Sequence, residues 1–552
     1  MRVATRILNG ISLLVVIAFG LLILLTLFVP IYTDEIGSKV QLMRILVEGG
    51  RLITLVPQCK STWAQPIPLS WYPGALYYHL FFLPLGLLAH KLSALVLAIV
   101  WFAAVAAAIA RTTTDWGARL RRFAGFVAIH AAGAMPLAIV TGRGEPTLII
   151  ALGIFAAFPI AWPVESRKTW WGRAFLAIGF LFVTSLFFFT AYKALLFAPF
   201  VLLSAVLSFR GRITWLVPVT LLAALAVYQS NQHARRFMGC EEAPLVQAHL
   251  RWLSLDPRLA LQDPVAFLKD GATNLRGRAV DIADGMMIDN PRPWLPPSTA
   301  EHVPDAVKLS DAASRALLYG TLVGVPIVVL IAVFLARRRR DVWLPVGLAV
   351  TLLVCVIGHV FFSHHWNYYM SPLVICLLAL VAAMASSSLP ARVRADGWPL
   401  LVGQIVFQAT ALAIMVTTLG HVGPKLIALS RHEGTVLPGQ PAYVPALGFD
   451  RERPKIREHA ARCGIDGDHA RRLVIDDATY FAFEDLHEPL HLIYVTDAAM
   501  WGYDMPGEKN VKLLRELGAS GIISRCGYFP TALEQKAKRQ DGYCCVSPDD
   551  LR

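Results

Sequence analysis

The chain has 552 residues, of which 56% are hydrophobic and only 16% charged. A soluble protein of this size carries about a quarter charged residues, and many of these apolar runs reach the ~20 residues that cross a bilayer as a helix. A soluble globular fold is excluded, and the net charge of +13 does not signal a nucleic-acid partner, because the cations sit in short loops between apolar runs.

Arg2 and Arg6 precede the first run, residues 8–30, and set the N-terminus in the cytoplasm. This run is too long for a cleaved signal peptide, and no small-residue cleavage site follows it. Further runs lie at 92–110, 123–141, 147–164, 174–192, 194–209, 213–230, 315–336, 342–362, 369–386 and 399–420. The expected fold is a polytopic α-helical membrane protein of about 11 transmembrane helices. Basic loops containing Arg119, Arg121, Arg122, Arg167, Lys168, Arg173, Arg210, Arg212, Arg337 to Arg340, Arg392 and Arg394 all fall inside if residues 73–90 do not cross. If that stretch crosses, every one of them falls outside. Pro73, Gly74, His79 and Pro84 also suit a surface helix better than a lipid-exposed span.

Residues 1–420 are therefore expected to form a transmembrane domain with outer loops at 31–91 and 231–312. Residues 421–552 form a small extracytoplasmic α/β domain. In it Leu473 to Ile475, Leu492 to Val495 and Gly521 to Ser524 read as strands, and Lys509 to Leu517 as an amphipathic helix. Cys355 and Cys376 lie within spans. Cys59, Cys240, Cys463, Cys526, Cys544 and Cys545 all fall outside, where disulfides are permitted. At least one bridge is expected in the tail, with partners that spacing does not choose. Asp476 and Asp477 read as turn residues at a strand end.

Polar groups collect on the outer face. Asp34-Glu35 opens the first loop, and Trp71-Tyr72-Pro73 through Tyr77-Tyr78-His79 follows. Arg143 and Glu145 occupy a very short turn between two spans; charge held at that depth is either paired or functional. Lys193 sits between two runs, where it contacts a phosphate or snorkels to headgroups. Ser363-His364-His365-Trp366-Asn367-Tyr368-Tyr369 forms a later outer turn, and its imidazoles suit phosphate contact better than metal ligation. Asp281, Asp284 and Asp289 in the second loop are further carboxylates.

This order of features resembles the GT-C superfamily of membrane glycosyltransferases, which includes protein O-mannosyltransferases, aminoarabinose transferases and oligosaccharyltransferases. The resemblance spans roughly residues 1–420. Asp34-Glu35 matches the acidic motif of the first loop, Glu145 the acidic position of the second, and His365 through Pro372 the late turn near the lipid phosphate. It implies an inverting glycosyltransferase of the cell envelope in a bacterial inner membrane, with its C-terminal domain periplasmic. The donor would be a polyprenyl-phosphate sugar and the acceptor a glycan, lipid or protein, with membrane lipids as surroundings. Asp34 would be the general base. Glu35 and Glu145 would orient the acceptor, and Asp34 with Glu145 would hold a divalent metal ion if one is used. Arg143, Lys193, His364, His365 and Tyr369 would contact the phosphate, and Tyr72, Tyr78 and His79 the acceptor. A transporter or flippase is the rival class, but no internal repeat is evident and the charges gather at one face instead of mid-membrane. The early acidic pair also disfavours a surface-polysaccharide ligase.

Overall fold

The structure is a computed structural model. It describes the chain apart from residues 1, 33–34, 37–40, 55, 83–87, 142, 243–246, 249–251, 290–301, 338–341, 367–368, 388–397, 433–442, 468–469, 484–485, 496–506 and 552. Two compact units emerge. The first comprises Met1–Leu27, Lys91–Asn231 and Arg251–Lys425; the second comprises Phe28–His90, Gln232–Leu250 and Leu426–Arg552.

The first unit is helical. Among the described residues, nine helices are long and apolar enough to cross a membrane: Val3–Phe28, Lys91–Arg111, Gly144–Ala161, Trp170–Thr190, Tyr192–Phe209, Ile213–Met238, Asp305–Ala336, Trp343–Phe362 and Leu400–Ser430. A shorter apolar helix, Met370–Ser386, makes ten. Gly144–Ala161 is 94% buried and forms the centre of the bundle, whereas Ile213–Met238 is only 22% buried and turns leucines and valines outward. Such a surface suits hydrocarbon, because a helix meets every interior backbone polar group itself. Tryptophans begin several helices: Trp116, Trp170 with Trp171, Trp215, Trp343 and Trp398. All but Trp116 adjoin a basic loop, and Trp116 is followed by Arg119, Arg121 and Arg122 within its own helix, the pairing expected where helices leave the bilayer.

The expected span at 123–141 is broken. A helix runs only over Trp116–Ile129, and a single turn, Met135–Ala138, follows. Between them Gly133 takes φ +51°, and a Cβ there would collide with the Met286 carbonyl. The freed backbone groups find other partners: Gly133 N–H donates to Ser314 Oγ at 3.1 Å and Ala134 N–H to Met286 O at 2.8 Å. Hydropathy registers only the apolar composition of this stretch, not the glycine and Pro136 that divide it.

The second unit contains the surface stretch and the tail. The helix Tyr72–Phe82 has 11 residues, about 16 Å of helix, which is too short to cross about 30 Å of hydrocarbon. Two small antiparallel pairs join β1 (Ile31–Tyr32) to β4 (Tyr443–Val444) and β2 (Arg51–Leu52) to β3 (Gln65–Pro66). The main sheet has five strands in the order β6-β5-β7-β9-β8, with β5 at Val474–Ile475, β6 at Leu490–His491, β7 at Ile522–Arg525, β8 at Lys538–Gln540 and β9 at Tyr543–Val546. β5 runs parallel to β6 and β7; β9 is antiparallel to β7 and β8. The strand expected at Leu492 to Val495 is instead one turn of helix, and β6 lies just before it. A short apolar run does not distinguish the two.

Side chains alternate across this sheet, so neighbouring residues serve different cores. Ile475, Ile523 and Cys545 pack with Ile31, Phe449 and Ile456 on one face. Val474, Ile522 and Cys544 pack with Leu490, Leu514 and Leu533 on the other. The adjacent cysteines accordingly form separate disulfides, Cys463–Cys545 and Cys526–Cys544, and a third joins Cys59 to Cys240. Asp476 is a capping residue: it accepts the Thr479 N–H at 2.8 Å and pairs with Arg525 Nε at 2.7 Å. Burial alone would raise its carboxyl, but Arg525 and Thr479 outweigh this and hold it below the usual range. Asp477 meets His491 Nε2 at 2.6 Å.

A second buried carboxylate, Glu488, fixes the first loop to the tail. It pairs with Arg472 Nε at 2.8 Å, with Arg51 Nη1 at 3.3 Å and with Arg471. Its own N–H donates to Glu48 Oε1 at 3.0 Å. Burial would push this carboxyl up, but Arg471 and Arg472 more than reverse the effect and lower it to about 2.

Candidate active site

Three chain breaks in the first unit bring charge together. Arg143 is extended and precedes the Gly144–Ala161 helix, whose first turn contains Glu145 and Pro146. Pro146 is tolerated there because first-turn N–H groups have no helical partner, and the helix dipole favours a carboxylate at that end. Ala191 is also extended; it ends one helix and starts the 3-10 segment Tyr192–Phe197 that presents Lys193. Tyr369 lies immediately before the helix beginning at Met370.

Glu145 is buried, with its side chain 8% exposed, and holds two cations. Oε1 accepts from Lys193 Nζ at 3.0 Å and Oε2 from Arg143 Nε at 3.3 Å. Both cations also lie over the Tyr369 ring, with Arg143 Cζ 3.8 Å and Lys193 Nζ 4.2 Å from its centroid. One carboxylate and one aromatic ring thus keep two like charges together, a placement that is favourable only with such partners.

The histidine turn makes a neighbouring arrangement. His364 is exposed, its N–H donates to Leu253 O at 3.1 Å, and its carbonyl accepts from Arg278 Nη2 at 2.5 Å. His365 stacks on Trp252 with ring centroids 3.8 Å apart. Burial, and then the Arg278 charge, lower its pKa. Asp281 pairs with Arg278 at 2.9 Å, and Arg315 bridges Asp284 at 2.9 Å and Asp289 at 3.4 Å.

No family model and no curated protein matches the chain. Solved structures align with it, among them the following two. ArnT from Cupriavidus metallidurans, solved bound to undecaprenyl phosphate, aligns over 98% of this chain and 98% of its own, with 12% identity and a TM-score of 0.43. The archaeal oligosaccharyltransferase AglB from Archaeoglobus fulgidus, solved with an inhibitory peptide and a dolichol-phosphate, aligns over 93% of this chain and 69% of its own, with 10% identity and a TM-score of 0.42.

The remaining sequence candidates belong to the second unit. Asp34 lies outside the described residues. Glu35 is buried, and its Oε1 accepts the Tyr32 N–H at 3.2 Å. Tyr72 is 40% exposed, and its hydroxyl approaches Gly50, where a Cβ would fall 2.8 Å away. Tyr78 is fully buried and packs edge-on to Tyr77 at 5.4 Å. His79 is partly exposed, with Nδ1 buried. One residue escaped the sequence reading: His359, buried in the last turn of Trp343–Phe362. An ionisable side chain in so apolar a span was itself a signal.

Proposed function

We propose that the chain transfers a sugar from a polyprenyl-phosphate donor to an acceptor hydroxyl at the outer membrane face. The observation that carries this reading is the gathering of Arg143 and Lys193 by Glu145 and Tyr369. A lipid-linked phosphate keeps its chain in the bilayer and its anion at the membrane edge, where paired cations stabilise the charge that develops on departure. In the proposed step the acceptor oxygen attacks the anomeric carbon as the bond from that carbon to the phosphate oxygen breaks. The acceptor proton passes to a carboxylate, assigned to Asp34 on the family resemblance, and polyprenyl phosphate leaves as the anion. Displacement in one step inverts the anomeric centre. The family resemblance assigns Glu35, Tyr72, Tyr78 and His79 to the acceptor, and His364 and His365 to the phosphate.

A divalent metal ion fits Glu145 poorly, because both of its oxygens already serve cations.

The test uses the full chain in nanodiscs with a panel of polyprenyl-phosphate sugars and cell extract as acceptor source. Release of polyprenyl phosphate together with addition of a single sugar is expected. Asp34→Asn should lower turnover at least about 10²-fold while donor binding persists. No transfer from any donor, together with unchanged surface glycans and lipids in cells lacking the protein, would overturn the proposal.

A further inference from the structure

His359 is 2% exposed, and among the described residues its Nε2 has no hydrogen-bond partner. Its backbone carbonyl is occupied by Ser363 Oγ at 2.7 Å, so the main chain is accounted for and the imidazole is not. The ring lies 6.0 Å from that of Phe197, at the end of the 3-10 segment that presents Lys193. From its helix, His359 therefore packs against the segment that presents Lys193.

If the residue only filled space beside Phe197, a phenylalanine would suit better. A buried imidazole nitrogen without a partner is unfavourable, and more so in a membrane-spanning helix. Its neighbours suggest what it is for, since groups gathered around two cations suit an anion with several acceptor oxygens.

We infer that His359 is a phosphate-binding residue of this site, donating its Nε2–H to a non-bridging oxygen of the lipid-linked phosphate beside Arg143 and Lys193. This rests on the donor reading above. The tautomer with the proton on Nε2 makes the bond without any charge on the ring, so the residue adds a directional donor to a site whose other donors are charged.

The test measures binding of undecaprenyl phosphate to the full chain in nanodiscs, with undecaprenol as the uncharged control. His359→Phe should weaken undecaprenyl phosphate about 10- to 100-fold, the range for a hydrogen bond to a charged group, and leave undecaprenol unchanged. His359→Gln, whose amide N–H reaches nearly the same place, should stay within about 3-fold of the parent. Equal binding by the parent and the Phe variant overturns the inference and leaves the donor reading intact. A parent that does not prefer the phosphate over the alcohol overturns the donor reading itself. The parent labelled with ¹⁵N-histidine gives a check that needs no folded Phe variant. The Nε2 resonance of His359, assigned by its loss in His359→Gln, should move with undecaprenyl phosphate and not with undecaprenol. A resonance that does not move overturns the inference.

Discussion

Replacing Glu488 by glutamine removes one negative charge from among three guanidinium groups while keeping the shape of the side chain. Moving a carboxyl from its ordinary 4.5 to about 2 corresponds to about 3.4 kcal/mol at pH 7. That is an upper bound, because the partners Arg51, Arg471 and Arg472 are 40%, 57% and 31% exposed and water screens them. Halving it gives about 1.7 kcal/mol, or about 4–6 °C in Tm for a unit of about 200 residues. The sign with pH follows from a lowered folded-state pKa. The stabilisation is complete above the unfolded value of 4.5 and fades as pH falls toward 2. The gap between the parent and Glu488→Gln should therefore shrink by more than half between pH 7 and pH 3. It should also narrow in 1 M salt. Melting curves of the full purified chain, followed by near-ultraviolet circular dichroism, measure it. A gap below 1 °C at pH 7, or one that persists undiminished at pH 3, would refute the assignment of Glu488 as an ionised clamp.

At Tyr369 the ring face is what holds the cations, so Tyr369→Phe should keep donor affinity within about 3-fold, whereas Tyr369→Leu should lose about 10-fold in a nanodisc binding assay. Gly133→Ala forces a side chain into a left-handed position and against the Met286 carbonyl, and should cost at least about 1–2 kcal/mol, seen as a lower Tm and yield. Non-reducing peptide mapping should recover Cys463 with Cys545 and Cys526 with Cys544; the exchanged pairing would contradict the alternation of β9.

Charge at the ends of apolar runs was legible, because lipid tolerates it only where it is paired or used. Arg143, Glu145 and Lys193 were read from that signal and Tyr369 from its place in the late outer turn, and all four meet in the first unit. His359 was missed by the same habit, since attention to span ends passes over a polar residue inside one. The break at Gly133 was hidden because its backbone partners, Met286 and Ser314, are remote in sequence. The pairing of Cys544 and Cys545 with different partners needs the strand register, which spacing alone does not supply. The β1–β4 pair left no trace either, because two residues carry no period.

The second unit is assembled from three separate stretches of chain, and Ile31 finds its strand partner only at Val444. During synthesis the first stretch emerges long before the last. Ile31 and Ile36 then lack the tail residues that surround them in the finished core, and Cys59 waits for Cys240. This unit therefore cannot mature by ordinary vectorial folding from the N-terminus, however early its first residues are delivered. Its completion is a late event in biogenesis, and a ribosome that stalls before residue 443 leaves it open whatever the state of the preceding helices.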